Sequence, residues 1–468
     1  MTRADRALTG GIGRRRYRER MAGRLRNCRY CRVVLVFMSA AFALTLLATA
    51  GVYNPWPQVD GWITRLLALS KPEPKWTARA LGEPDAAAVM TDGTIVVTSR
   101  GFVEAMSPDD GHQMWRQDVN WAMPAVDVVL AQTRQLNPDA HPNSDRGYSV
   151  IDPKSGVTIW ADPDAIAAWA YASTIIDLVC PGQGNCQIRS HLHRQRDVAW
   201  SVDVPAAARL IHGGDPPLAG TRDPAEWFAK AAAGTPGVVP PVFALPVDGR
   251  IQPVDTYNRA PAPAVTPPDR LTRVAASSDQ ILFIHAQRAT SGCVYRVEAF
   301  NFATGKPSWD QNGYDLSTAS GAGCEQRRDP LGADRHLVVT NSADEPMLVN
   351  ADNGKPEWTG VPGEKVLAAD LGMAVVASVD RKTVKVVDVL AVPARVTWTG
   401  AMGVDPQAAV TPDWVIVRDG DAGRILVFKR IGMQQKLEIK TSADVIGYGP
   451  TGILIASGRR VGFHPVKS

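Results

Sequence analysis

A glycine followed four residues later by a tryptophan recurs along this 468-residue chain and constrains its fold more than any other feature. Each clear copy has a β-like run, then a turn with Asp or Asn before the glycine. The four clear copies are EAMSPDDGHQMW (Gly111, Trp115), SVIDPKSGVTIW (Gly156, Trp160), AFNFATGKPSW (Gly305, Trp309) and LVNADNGKPEW (Gly354, Trp358). Two weaker copies keep only the tryptophan, at Trp200 and Trp398, and neighbouring tryptophans are separated by 45, 40, 49 and 40 residues.

This unit has the physical signature of antiparallel β-structure. Alternating apolar runs such as TIVVT at 94–98 and HLVVT at 336–340 predict strands. The turn residues tolerate a tight chain reversal, and the tryptophan supplies a large apolar surface between neighbouring sheets. One such unit cannot bury both of its faces, but a ring of them can. The period therefore predicts an all-β propeller over residues 77–468, with seven blades favoured and eight as the alternative.

One interval breaks the period, since 109 residues separate Trp200 from Trp309. We expect one irregular blade there, built on Val242–Val247 and Arg250–Val254, and a helical insertion near 205–241. The segment Asp223–Lys230 has an N-cap Asp followed by Pro, which predicts a short helix. Its Trp227 and Phe228 are candidates for a partner or lipid contact, and packing against the propeller is the alternative.

The N-terminal region predicts a membrane anchor. Residues 1–32 hold eleven Arg, no Lys and two acids, so this tail carries +9 and the rest of the chain about −5. Val33–Tyr53 is a run of 21 uncharged residues, long enough to cross a bilayer. The positive-inside rule places the tail in the cytoplasm, residues 54–76 as an extracytoplasmic stalk, and 77–468 as the extracytoplasmic domain. Cleavage after Ala50, at Ala48-Thr49-Ala50, is the alternative.

The six cysteines divide at this predicted span. Cys180, Cys186, Cys293 and Cys324 fall on the oxidising side, where we expect the disulfides Cys180–Cys186 and Cys293–Cys324. Cys28 and Cys31 fall on the cytoplasmic side, as reduced thiols beside the membrane, because half of a zinc ligand set is missing.

The sequence carries no recognisable catalytic, metal or cofactor motif. A P-loop, a G-x-S-x-G elbow and an H-E-x-x-H motif are all absent. His191 and His193 share one face of a strand, and without a third ligand we interpret that face as solvated. The mildly acidic body gives no electrostatic basis for nucleic-acid binding.

The repeat resembles the PQQ-like (quinoprotein-type) repeat, whose usual core is Ala-x-Asp-x-x-Thr-Gly-x-x-x-Trp, best matched at Phe300–Trp309 and Val349–Trp358. Quinoprotein dehydrogenases of this class carry adjacent cysteines and calcium ligands, and this chain has no Cys-Cys pair. The resemblance therefore implies an architectural repeat, as in the BamB-like scaffold propellers, without enzyme activity or cofactor. A quinone-dependent oxidoreductase and an envelope sensor are the alternatives.

The order of Arg-rich tail, single span and PQQ-like propeller with an inserted helix resembles the actinobacterial membrane-anchored periplasmic glycolipid factor family. This resemblance implies a partner, the RND-type exporter of trehalose monomycolate, and an envelope glycolipid ligand. The family has no catalytic motif, so it implies no site residues.

Overall fold

The computed structural model describes residues 69–133, 147–180, 185–205, 211–212, 218–219, 239–247, 249–268, 273–290, 292–319, 321, 323–327, 332–333, 335–403, 406–419 and 423–466. The predicted tail, the span, Cys28, Cys31 and most of the stalk lie outside these residues, as do Trp227, Phe228 and their predicted helix. The described residues contain no helix that could span a bilayer.

Strands account for all of the regular structure in these residues, so the predicted all-β class is confirmed for them. The first twelve are β1 (Trp76–Arg79), β2 (Pro84–Val89), β3 (Ile95–Ser99), β4 (Phe102–Met106), β5 (Gln113–Ala125), β6 (Val128–Thr133), β7 (Tyr148–Ile151), β8 (Thr158–Asp162), β9 (Ala165–Ala170), β10 (Thr174–Val179), β11 (Asn185–Leu192) and β12 (Val198–Pro205). The next twelve are β13 (Ile211–His212), β14 (Leu218–Ala219), β15 (Val242–Val247), β16 (Arg250–Asp255), β17 (Ala260–Pro261), β18 (Arg273–Ser277), β19 (Gln280–Ala289), β20 (Gly292–Asn301), β21 (Lys306–Asn312), β22 (Thr318–Ala319), β23 (Gln326–Arg327) and β24 (Gly332–Ala333). The last fourteen are β25 (His336–Thr340), β26 (Pro346–Asn350), β27 (Pro356–Thr359), β28 (Lys365–Asp370), β29 (Met373–Ala377), β30 (Thr383–Asp388), β31 (Arg395–Ala401), β32 (Gln407–Val410), β33 (Trp414–Asp419), β34 (Arg424–Lys429), β35 (Gln435–Lys440), β36 (Asp444–Gly449), β37 (Gly452–Ser457) and β38 (Arg460–Pro465).

Antiparallel pairing groups the described strands into nine units of four. They are unit 1 (β2 to β4 and the first half of β5), unit 2 (the second half of β5 and β6 to β8), unit 3 (β9 to β12), unit 4 (β13 and β15 to β17), unit 5 (β18 to β21), unit 6 (β24 to β27), unit 7 (β28 to β31), unit 8 (β32 to β35) and unit 9 (β36 to β38 and β1). The short strand β14 adds to unit 5 beside β18, and β22 pairs with β23. The strands expected for the irregular blade are those of unit 4.

The predicted number of blades, seven or eight, is not confirmed. Unit 8 gave no repeat signal, because Leu437 takes the tryptophan position in its fourth strand. In seven of the units a bulge sets that position: the residue that pairs with the tryptophan, or with Leu437, is followed by a register shift. The geometry of the unit thus persists where the signature residue is lost.

The N-terminal segment of the domain closes the last unit. Strand β1 pairs antiparallel with β38, from Trp76 opposite Phe463 to Arg79 opposite Arg460. Ahead of it, the backbone of Lys71 pairs with that of Lys440, and Thr441 Oγ1 donates to Leu69 O at 2.7 Å. The structure therefore corrects the domain boundary expected at residue 77, because Leu69–Trp76 belongs to the domain rather than to the stalk.

The tryptophan of one unit docks on the next unit, and there it meets the turn glycine. Indole N–H groups donate to turn carbonyls of the following unit, namely Trp76 to Pro108 O (3.0 Å), Trp115 to Pro153 O (2.6 Å), Trp160 to His193 O (3.0 Å) and Trp309 to Ala351 O (2.7 Å). Beneath the rings, an added Cβ would lie 2.5 Å from Trp76 at Gly111, 2.7 Å from Trp115 at Gly156 and 2.8 Å from Trp309 at Gly354. The glycines Gly111, Gly156, Gly305 and Gly354 have φ values of 73°, 72°, 66° and 70°. The tryptophan and the glycine of the repeat therefore both make contacts that hold neighbouring units together.

Each unit has two distinct ends. Because consecutive strands reverse direction, the first-to-second and third-to-fourth turns share one end, which we call the lower end, and the other connections share the upper end. Both predicted disulfides are present, and both lie at the upper end. Cys180–Cys186 closes the second-to-third connection of unit 3, and Cys293–Cys324 ties the start of β20 to the segment that follows unit 5.

Candidate functional site

A groove with a volume of about 390 Å³ lies between units 8 and 9. Its walls are formed by the first strands of the two units, β32 and β36, and by β33. The volume falls in the range typical of small-molecule sites. The lining residues are Gln407, Ala408, Ala409, Ile416, Arg418, Asp444, Val445, Ile446, Gly447 and Tyr448.

The groove arises from an asymmetry in how β36 meets its neighbours. On one side β36 pairs in parallel with β2 of unit 1, with Ala87 opposite Gly447 and Ala88 opposite Tyr448. This approach is so close that a Cβ on Gly447 would lie 1.9 Å from Ala87 O. On the other side, the described residues of β32 and β36 form no ladder. Strand β36 therefore lies close to unit 1, and the groove is the space left between β36 and unit 8.

Three polar side chains stand at the upper mouth of this groove. Gln407 and Asp444 are the first residues of their strands, and Arg418 is the penultimate residue of β33. Arg418 Nη1 lies 2.6 Å from Asp444 Oδ1 and donates to Gln407 Oε1 at 3.4 Å. The Asp444 side chain remains 69% exposed, so its carboxylate still has room for a ligand.

Tyr448 supplies a polar group deeper in the groove, toward the lower end. Burial, together with the negative charge of Asp370, raises the pKa of Tyr448 to about 12. The phenol therefore stays protonated at neutral pH and can donate a hydrogen bond. Within the described residues its hydroxyl has no hydrogen-bond partner, which leaves that donor for a ligand.

The groove combines apolar walls with polar groups at two depths. Its walls are aliphatic, its mouth offers a guanidinium, a carboxylate and an amide, and its depth offers a phenol. Of the residues that the structure describes, no His, Cys or Ser lines it. Among the described residues, no group of three or more His, Cys, Asp or Glu is placed to hold a metal ion.

A second polar cluster is buried between units 2 and 3. Asp177, with 0% of its side chain exposed, accepts two hydrogen bonds from Arg189 (2.9 and 2.7 Å) and one from the Tyr148 hydroxyl (3.0 Å). Arg189 also bridges to Asp162 at 2.5 Å, and His191 Nε2 lies 3.3 Å from Asp177 Oδ2. Burial alone would raise the pKa of Asp177, but the contacts from His191 and Arg189 lower it. The charges in this cluster are fully engaged with one another, so it serves to join the two units.

The interpretation of His191 and His193 as a solvated strand face is wrong. They are only 2% and 5% exposed, because unit 2 covers this face of β11. His191 Nδ1 lies 2.9 Å from Arg196 O, and His193 contacts the Asp127 carboxylate and, at 2.8 Å, Tyr171 O. The two imidazoles are separate structural groups, each with its own partners.

Sequence reasoning missed the groove residues. Arg418, Asp444 and Tyr448 lie in segments without the repeat signature, and no spacing links them. A signal for their setting exists nevertheless: the first strands carry runs of small residues, namely 86–88, 167–168, 275–276, 368–369 and 408–409. Two of these first strands pack closely on the first strand of a neighbouring unit, β2 on β36 and β28 on β32.

Part of this chain is similar to PQQ-like β-propeller repeats. Residues 295–443 match the family model PQQ_2, described as outer membrane protein assembly factor BamB. The match runs from β20, the third strand of unit 5, to the end of unit 8, which has a leucine in place of the tryptophan. Among curated proteins, none matches this chain.

Similar solved structures include BamB from Moraxella catarrhalis, with 16% identity and a TM-score of 0.36 over 65% of this chain and 83% of that chain. The computationally designed Ika8 protein has 12% identity and a TM-score of 0.38, over 76% and 99% of the two chains. Sqt1 of Saccharomyces cerevisiae has 8% identity and a TM-score of 0.39, over 86% and 100%. These TM-scores are too low to carry a blade number or a function over to this chain.

Proposed function

We propose that this chain is a non-enzymatic, membrane-anchored extracytoplasmic propeller that acts as a scaffold and lipid- or partner-binding factor of the cell envelope. The match of residues 295–443 to a family described as an outer membrane assembly factor supports the scaffold role. The use of the repeat residues in unit-to-unit contacts supports an architectural rather than catalytic use of the repeat.

The anchor in this proposal is the uncharged run Val33–Tyr53, with the Arg-rich tail on the cytoplasmic side. Two cystines in the domain fit an oxidising compartment outside that membrane. A protease-protection experiment on spheroplasts tests this topology, because external protease should digest the domain and spare the tail.

The proposed ligand is an envelope glycolipid of the trehalose monomycolate type, and the proposed partner is the RND-type exporter that carries it. The groove between units 8 and 9 is the observation that supports the ligand. Its aliphatic walls suit an acyl chain, and Arg418, Asp444 and Gln407 at the mouth offer the donors and acceptors that recognise sugar hydroxyl groups.

Native mass spectrometry of the full-length protein, purified from its own envelope in lipid nanodiscs, tests this ligand. We expect a co-purifying glycolipid on the wild-type protein. Its occupancy should fall about tenfold in Arg418→Gln or Tyr448→Phe, the consequence of one lost hydrogen bond in a desolvated site.

Arg296→Gln is a matched control for these substitutions. Arg296 and Asp310 also form an ion pair, at 2.5 Å, but on the outer strands of unit 5 with side chains 46% and 47% exposed. This variant should keep its glycolipid. Glycolipid bound equally well by all variants would exclude the groove, and a wild-type protein free of glycolipid would argue for a pure protein scaffold.

A further inference from the structure

Large aliphatic side chains project from two neighbouring turns at the lower end of units 7 and 8. In the third-to-fourth turn of unit 7, Leu390 is 61% exposed and Val392 is 99% exposed. In the corresponding turn of unit 8, Ile431 is 74% exposed. Exposure of this degree at adjacent turn tips is typical of an interaction surface.

The two turns form one surface, because both pack on the first-to-second turn of unit 7. An added Cβ on Gly372 would lie 2.4 Å from Leu390, so that turn and Leu390 are in direct contact. From the other side, Arg430 Nη1 donates to Leu371 O at 3.3 Å. We call Leu371, Leu390, Val392 and Ile431 the aliphatic turn surface.

The backbone at Leu371 has a φ of 47°, in the left-handed region. The same position of the first-to-second turn has φ values of 49° at Val126 in unit 2 and 51° at Ser278 in unit 5, so the conformation belongs to this two-residue turn. Asn, Asp or Gly would occupy the position with less strain. Leu371 instead keeps a partly exposed aliphatic side chain there.

Cationic side chains border the aliphatic turn surface. Lys429 and Arg430 precede Ile431, and Arg395, 71% exposed, follows the turn of unit 7. Three carboxylates are also near. Asp370, directly before Leu371, acts on Tyr448. Asp388 accepts the Leu390 backbone N–H at 3.1 Å and faces Arg395 at 3.8 Å, whereas Asp413 is exposed. At the turn of unit 8, the two cations Lys429 and Arg430 therefore outnumber the one exposed carboxylate, Asp413.

We propose that the aliphatic turn surface inserts into the interfacial region of an anionic phospholipid leaflet. Projecting aliphatic tips with bordering Lys and Arg are complementary to such a leaflet. A protein-binding surface is typically enriched in aromatic residues, and these tips carry none. The inference rests on the proposed anchor, because the uncharged run Val33–Tyr53, if it crosses the membrane, keeps the domain beside that membrane.

Photocrosslinking in native membranes tests this inference on the full-length chain. A photoreactive amino acid replaces Val392 or Ile431, and the adducts are identified by mass spectrometry. The matched controls are Tyr257, 88% exposed in the third-to-fourth turn of unit 4, and Val379, 60% exposed at the upper end of unit 7. These positions are exposed, so the replacements leave the core intact.

We expect phospholipid adducts at 392 and 431 and few at 257 and 379. The variant Lys429→Ser should lower the yield at 392 roughly fivefold, equal to one lysine–lipid contact of ~1 kcal/mol. Protein adducts at 392 and 431, equal lipid adducts at all four positions, or no adducts would each overturn the inference. A chain found in the soluble fraction would refute the anchor and this inference together, whereas a membrane-bound chain without lipid adducts refutes this inference alone.

Discussion

Gly354→Ala tests whether the docking of one unit on the next holds the domain together. Gly354 has a φ of 70°, and an added Cβ would lie 2.8 Å from two ring atoms of Trp309. Trp309 is 9% exposed and donates from its indole nitrogen to Ala351 O at 2.7 Å. Gly432 is the matched control, because its φ is 84° but an added Cβ would meet nothing within 4 Å.

The expected magnitudes follow from these two environments. Gly432→Ala imposes only left-handed strain, ~1–2 kcal/mol, offset in part by the reduced entropy of the unfolded chain. Gly354→Ala adds the displacement of the Trp309 ring. Overpacking costs about 1–3 kcal/mol and a weakened hydrogen bond about 1 kcal/mol. We therefore expect Gly354→Ala to cost roughly 2–4 kcal/mol more than Gly432→Ala.

Urea denaturation of both variants gives this difference, and a double-mutant cycle identifies its source. In a Trp309→Ala background the ring is gone, so Gly354→Ala should cost no more than Gly432→Ala does. Equal costs for the two single variants would refute the docking argument. So would an undiminished cost of Gly354→Ala in the Trp309→Ala background.

Three further predictions concern other contacts. Asp177→Asn should cost ~3–5 kcal/mol in urea denaturation, because it leaves Arg189 buried without its full partner, while Asp310→Asn at the half-exposed pair should cost under ~1 kcal/mol. Burial lowers the pKa of His464 from 6.5 to about 4, so between these pH values the unfolded chain binds a proton at this residue and the folded chain does not. The free energy of unfolding should be full above pH ~6.5 and fall by about 3 kcal/mol toward pH ~4, and His464→Asn should flatten this decline; an unchanged pH profile would contradict it. The disulfide Cys293–Cys324 closes a separation of 31 residues and Cys180–Cys186 closes one of 6. Loss of the first should therefore lower the free energy of unfolding by ~3–4 kcal/mol, and loss of the second by ~2 kcal/mol. Thermal melts of the two double Cys→Ser variants compare these losses.

The repeat was predictable because the residues that mark it also make the contacts between units. Where a tryptophan ring and the glycine that admits it recur together, they mark the contact between neighbouring units, so their spacing reports the fold directly. The prediction failed where one member changed. Leu437 occupies the tryptophan position of unit 8, so the spacing of tryptophans did not predict this unit.

Closure of the last unit was missed for a different reason. Trp76 precedes Trp115 by 39 residues, close to the repeat period, yet Pro72 stands at the position four residues before it where the repeat has its glycine. Its partners are supplied by β38, almost 400 residues later along the chain. A local pattern cannot reveal a pairing of this kind. The burial of His191 and His193 failed similarly, because strand alternation groups side chains on a face without showing whether another unit covers it.

The groove could not be predicted because it depends on a departure from the repeat. Each Trp–Gly contact draws neighbouring units together in the same way, and the residues that make it have no capacity left for a ligand. Strand β36 differs in pairing with β2, which Gly447 permits by lacking a Cβ. Because β36 lies closer to unit 1, space is left between β36 and unit 8. Arg418, Asp444 and Tyr448 line that space with polar side chains. We therefore expect ligand binding where the packing of one unit on the next departs from the repeat. Substitutions of the repeat tryptophans and glycines should change ligand affinity only by lowering the stability of the domain.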